Sequence, residues 1–134
     1  MLIDVGTSDI ESLKTALSLA DRVLIPVPPS QADIWSTQRF LRFLDDAVEG
    51  RKPELLSFIN RADTHRAIRE SDEAAAALVS LSGVKYIKQR LCQRTVFRRS
   101  FSEGLAVFEL DSRGKGAREF FALTSALYPD YLEE

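Results

Sequence analysis

Arg22-Val23-Leu24-Ile25-Pro26-Val27-Pro28-Pro29-Ser30 is an apolar run closed by prolines. Continuous rather than alternating hydrophobicity reads as a strand buried on both faces of a parallel sheet. Pro26, Pro28 and Pro29 are expected to end it and to force an extended loop. Working outward, Leu55–Ile59 repeats the pattern and stops at Asn60. Between the two runs, Ile34, Thr37, Leu41, Leu44 and Val48 recur at helical spacing, with Asp33 as a cap and Gly50 and Pro53 as stops. Upstream, Leu2–Val5 reads as the end of a further buried strand. Ile10, Leu13, Leu17 and Ala20 read as a helix opened by a capping box of Ser8 and Glu11. Downstream come a helix over Glu70–Leu81 stopped by Gly83, then short strands at Val84–Ile87 and Arg90–Cys92. A short helix over Thr95–Glu103 is closed by Gly104, and Ala106–Leu110 is extended. The last helix, Arg113–Tyr128, turns Ala117, Phe120, Phe121, Thr124 and Leu127 inward.

Strands alternating with helices mean βαβ units: an α/β fold, a mostly parallel sheet flanked by helices. At 134 residues the chain is expected to form one domain spanning 1–134. Its 45% hydrophobic and 28% charged residues exclude a disordered chain. Eighteen basic against twenty acidic residues give a net charge of −2, so any nucleic-acid surface must come from local clustering. One cysteine, Cys92, excludes an internal disulfide framework, and one histidine, His65, excludes a multi-histidine metal site. No basic, apolar leader opens the chain and no uncharged apolar stretch is long enough to span a bilayer. A cytoplasmic location is expected, without a membrane partner.

In open parallel sheets ligands gather at the carboxyl ends of strands. The residues to watch are therefore Asp4, Pro26 to Ser30, Asn60, Arg61, Gln93 and Arg94. A carboxylate at a strand tip, as in Leu2-Ile3-Asp4, can hold Mg2+ beside phosphates; it can equally start a turn. No G-x-x-x-x-G-K-[ST] loop is present; Gly114-Lys115 near the C-terminus reads as a loosely structured helix start. Lys85, Lys88, Arg90, Arg94, Arg98 and Arg99 follow one another without an intervening acid. They suit phosphate contacts or a solvated surface equally. Trp35 and Cys92 are expected in the core.

Taken in order, these segments resemble the ParA-type partitioning ATPases, a branch of the MinD-like, deviant Walker P-loop proteins. Leu2-Ile3-Asp4-Val5-Gly6-Thr7-Ser8-Asp9 is similar to the family's Walker B strand and the loop after it. Ala20-Asp21-Arg22-Val23-Leu24-Ile25-Pro26-Val27 resembles its alanine-aspartate, strand, proline segment, continued by Pro29-Ser30-Gln31-Ala32-Asp33. Phe58-Ile59-Asn60-Arg61 resembles its strand-end asparagine motif. Arg94 to Gly104, with Val107 and Glu109, resembles its late arginine–helix–glycine pattern.

The resemblance implies a partial P-loop NTPase-like fold, ATP and Mg2+ as cofactors of the complete fold, and DNA segregation of plasmids or chromosomes. It implies Asp4 as the catalytic, metal-side carboxylate and Asn60 facing adenine with Arg61 beside it. Pro28 and Ser30 would border the nucleotide, and Arg94, Arg98 and Arg99 would form the DNA-facing surface. Implied partners are non-specific DNA, a partition adaptor protein and a second copy of the chain. The sequence departs from the family in lacking the lysine-bearing P-loop and in starting inside the Walker B strand, and Gln93 stands where an aspartate is common. It matches the C-terminal two-thirds of a member. The isolated polypeptide is therefore expected not to hydrolyse ATP, and to associate as a homodimer or larger oligomer through an exposed sheet face or edge. The alternative is a non-enzymatic DNA-binding or dimerisation module that modulates a full-length partner. A flavodoxin-like binding domain is the third reading.

Overall fold

The computed structural model describes residues 1–65 and 69–131. Helix α1 (Ile10–Leu19) leads into strand β1 (Arg22–Val27). Helix α2 (Gln31–Ala47), strand β2 (Glu54–Ala62), helix α3 (Glu70–Ser80) and strand β3 (Lys85–Cys92) follow. Three helices complete the chain: α4 (Thr95–Glu103), α5 (Val107–Leu110) and α6 (Lys115–Leu127), with a final 3-10 turn at Pro129–Tyr131. The strands form one sheet in the order β1-β2-β3, parallel throughout. This is the α/β architecture that the alternation of elements predicts.

Right-handed crossovers through α2 and α3 put both helices on one face. There Ile25, Val27, Ile59 and Ala62 of the sheet meet Ile34 of α2 and Ala74 and Leu78 of α3. On the other face Leu56, Phe58 and Ile87 pack against Leu123 of α6, with Leu91 and Leu127 alongside. A third cluster joins Leu13 and Leu17 of α1 to Leu44 and Val48 at the far end of α2. Central β2 is buried on both faces from Leu56 to Ile59. Ser57 lies within this buried run, with a hydroxyl that finds no partner among the described residues.

Several expectations are corrected. Leu2–Val5 is not a strand: residues 1–5 are irregular, mostly exposed, and only Val5 packs against the core. A four-residue segment gains strand geometry only through ladder partners, and this one pairs with nothing among the described residues. The α1 cap is Asp9, whose carboxylate accepts from the Ser12 N–H and hydroxyl, rather than Ser8. Helix α2 is capped by Ser30, not Asp33. The two short strands after Gly83 are one, β3, and β2 continues past Asn60 to Ala62. Ala106–Leu110 is not extended: Glu109 reaches back to the Ala106 N–H at 2.7 Å and starts α5.

Pro26 lies inside β1 rather than ending it. The Asp21 carbonyl accepts from the Glu54 N–H, so odd-numbered residues of β1 turn their peptide groups toward β2. Pro26, an even position, turns its donorless nitrogen to the free edge, where proline is tolerated. Strand β1 is also not buried on both faces. Leu24 and Pro26 are exposed, because α6 lies over β2 and β3 and leaves that side of β1 open. On α6 Ala117 is buried and Leu127 packs against the core as expected, and Leu123 is buried beside them, but Phe120 and Phe121 face outward. Trp35 is exposed rather than in the core, whereas Cys92 is half-buried against it.

Candidate functional site

A parallel sheet collects its strand ends on one side. The structure brings together there Pro28, Pro29 and Ser30 after β1, Asn60 and Arg61 in the last turn of β2, and Gln93 and Arg94 after β3. Ser30 is fixed by reciprocal bonds with Asp33. Its hydroxyl donates to the Asp33 carboxylate and accepts from the Asp33 N–H at 3.1 Å. The Pro28 carbonyl accepts from the Ser30 N–H at 2.9 Å, which tightens the loop.

The end of β2 is irregular. Phe58 pairs with Ile87, Asn60 with Leu91 and Ala62 with Cys92. Two residues of β2 thus oppose four of β3, and then two oppose one. Arg61 is the surplus residue of the second step, and it takes the left-handed region with φ 56°. A bulky residue held there is strained, and bulges of this kind bend a strand and re-aim its side chains beside sites. Asn60 is half-buried and Arg61 exposed.

Next to these residues a cleft of about 430 Å³ opens between the end of β3 and the starts of α4 and α6. Gln93, Arg94, Thr95, Asp111, Gly114 and Lys115 contribute to its walls. Gly114 and Gly116 are not a loose helix start. A side chain on Gly114 would run into the Asp111 carboxylate, and one on Gly116 into Val96 of α4. Both glycines serve close packing of the α6 terminus.

Arg94 does not stand free. Its guanidinium grips Glu119 of α6 with two bonds, Nε to Oε1 at 3.0 Å and Nη2 to Oε2 at 2.8 Å. The Cys92 N–H donates to the same Oε1 at 3.2 Å. The two charged side chains are only 23% and 21% exposed. Burial raises the Glu119 pKa, but the Arg94 guanidinium and the Cys92 N–H outweigh it and leave the carboxyl below its usual range. Burial, then the Glu119 carboxylate, pushes the Cys92 thiol up. Arg99 pairs with Glu103 one turn on at 3.2 Å, whereas Arg98 is exposed and without an ion pair among the described residues. The three arginines therefore have three different settings.

Glu119 is the residue that sequence reasoning missed. Its spacing of four and eight residues from Leu123 and Leu127 puts it on the buried stripe of α6. A carboxylate on such a stripe calls for a buried cation, and that signal was legible. Asp4 is exposed on the unpaired N-terminal segment rather than at a strand tip. Among the described residues no three His, Cys, Asp or Glu side chains gather into a metal-ligand set. The donors present thus do not fit a magnesium triphosphate: Asp4 has no strand behind it, and Gly114-Lys115 is not part of a G-x-x-x-x-G-K-[ST] loop. No helix among the described residues is long and apolar enough to cross a membrane.

No family model matches the chain and no solved structure matches it. One curated protein is similar: the "Maintenance of carboxysome distribution protein A" of Halothiobacillus neapolitanus, 28% identical over 101 residues. The match takes in 74% of this chain but 45% of the relative, so the chain spans less than half of that protein's length. This is a distant likeness to a distribution protein.

Proposed function

We infer that this protein belongs to a ParA-like system that partitions or positions cellular cargo. The observation that carries the reading is the similarity to a carboxysome-distribution protein. The ordered strand-end motifs support it, because Pro28, Ser30, Asn60 and Arg61 share one end of a parallel sheet. Distribution is the coarser reading. DNA segregation of plasmids or chromosomes, driven by ATP with Mg2+ and assisted by an adaptor protein in the cytoplasm, is the finer one.

In that scheme this chain contributes the base side of a nucleotide site. The Asn60 amide offers a donor and an acceptor to a base edge, and Arg61 offers a planar cation beside it. Phosphoryl transfer needs positive groups around the phosphates, and Asp4 cannot supply them. Purified chain with Mg-ATP is expected to release no phosphate above blank. Turnover that survives Asp4→Ala would show that the site is elsewhere.

Arg98, exposed and without an ion pair among the described residues, favours a second reading, a non-enzymatic module that binds DNA or a full-length partner. Anisotropy of a labelled duplex separates the two. Binding without nucleotide, falling steeply with salt, supports the module. Duplex binding that appears only with ATP and a full-length family member supports the partitioning scheme.

A further inference from the structure

We propose that the groove between α5 and α6 docks an amphipathic helix of a partner protein, one that presents large apolar side chains with a carboxylate beside them. The proposal does not rest on the partitioning scheme. Ala117, Phe121 and Thr124 follow one another on α6 at spacings of four and three, with Phe120 beside them, and form one wall. Val107 and Phe108 of α5 form the other, around an apolar groove of about 550 Å³. Phe108, Phe120 and Phe121 are 60%, 44% and 59% exposed. At the roughly 200 Å² of a phenylalanine side chain, the three rings present on the order of 300 Å² of apolar surface, the size of a functional patch.

The one charged group that lines the groove is a cation. Arg118 is exposed and has no ion pair among the described residues. Its Nε and Nη2 donate to the Arg113 carbonyl at 3.3 and 2.9 Å, which holds the guanidinium in place and leaves Nη1 to donate elsewhere. No Asp or Glu lines the groove, so the occupant must bring the carboxylate. The same charge sets a second copy aside. An isologous contact brings one patch of each protomer together, and here it would oppose arginine to arginine with no acid between them. The apolar walls ask for little else. The Thr124 hydroxyl already donates to the Phe120 carbonyl at 2.8 Å, and both walls are helical, so an extended peptide would find no ladder partners. A helix satisfies its own backbone and enters such a groove through side chains at i, i+3 or i+4 and i+7. A small acid fits less well, because ligand pockets bury roughly 70–90% of their ligand and these rings stand about half open.

Fluorescence anisotropy tests this with a labelled helical peptide of about 16 residues, carrying Leu, Phe and Leu at i, i+4 and i+7 and Glu one turn to either side. A twin peptide has Lys in place of each Glu. The acidic peptide is expected to bind with a Kd on the order of 10 µM, and the twin about fivefold more weakly or worse. Phe121→Asp is expected to weaken binding about thirtyfold or more. Phe108→Ser repeats the test from the opposite wall, and circular dichroism checks that each variant folds. Arg118→Glu is expected to reverse the preference, so that the basic twin binds more tightly. No binding of the acidic peptide at about 200 µM wild-type chain overturns the proposal. So do equal affinities for the two peptides, or a preference indifferent to Arg118→Glu. A wild-type dimer in sedimentation velocity that Phe121→Asp dissociates would give the groove to a second copy and overturn it as well.

Discussion

The two faces of the sheet are built by different rules. Over α2 and α3 the face is closed: side chains from all three strands meet two helices, and Ile59 and Leu78 are fully buried. Over α6 a single helix serves two strands, leaves Leu24 and Pro26 uncovered, and turns two phenylalanines outward. A closed face holds by apolar packing alone. The half-covered face recruits a charged clamp, Arg94 to Glu119, to fix α6 against the end of β3. The two sides of one three-stranded sheet are thus held in different ways.

The contrast breaks hardest on the closed side. Ile59→Ala removes a side chain with no exposed surface and is expected to cost about 3–4 kcal/mol of unfolding free energy, the usual large-to-small core penalty. Phe121→Ala, at an exposed position, is expected to cost under about 1 kcal/mol. Urea unfolding midpoints compare them directly. Equal losses would mean that the α6 face is closed in solution.

Arg94→Leu probes the clamp and comes next in size, with an expected loss of about 2 kcal/mol near neutral pH. Glu119 in the folded wild type titrates below its ordinary value of 4.5. Its contribution is therefore present above the unfolded pKa and is lost as pH falls through the lower folded one. Without Arg94, burial is left as the dominant influence and raises the folded pKa. The variant's deficit is then full at neutral pH and shrinks as acid protonates Glu119. Unfolding free energy measured from pH 7 to 3 should converge for the two proteins. Parallel curves would show that the pair does not hold α6.

The closed face was also the legible one. Its strands are read from the apolar runs at 22–27 and 55–59, and the stripe of α2 reads directly from its spacing. The strand-end position of Pro28, Ser30, Asn60 and Arg61 followed from parallel topology alone. The other side depends on information that periodicity lacks. With Phe120, Phe121 and Leu123 close together on α6, the inward direction is decided by where β2 and β3 lie. Leu2–Val5 has strand composition, but strand formation is a property of a pair. The exposed setting of Asp4 follows from that missing partner. Trp35 lies outside the core because helix α2 already fills its inner face with Ile34 and Thr37.

The smallest expected effect concerns the basic segment. Replacing Arg94, Arg98 and Arg99 together would mix three roles, because Arg94 is spent on Glu119 and Arg99 on Glu103. Arg98 alone is exposed and unpaired among the described residues, so its guanidinium is available to a phosphate without breaking anything first. Arg98→Ala should leave the urea midpoint within about 0.5 kcal/mol of wild type, as for a surface change that touches no packed feature. If the segment contacts DNA, the same change lowers the slope of log affinity against log salt by up to about one unit, on duplexes of any sequence. Arg94→Ala should do the reverse, losing stability while the slope changes little. An Arg98 variant with an unchanged slope would return this arginine to the solvated surface and move any DNA contact to the basic start of α6.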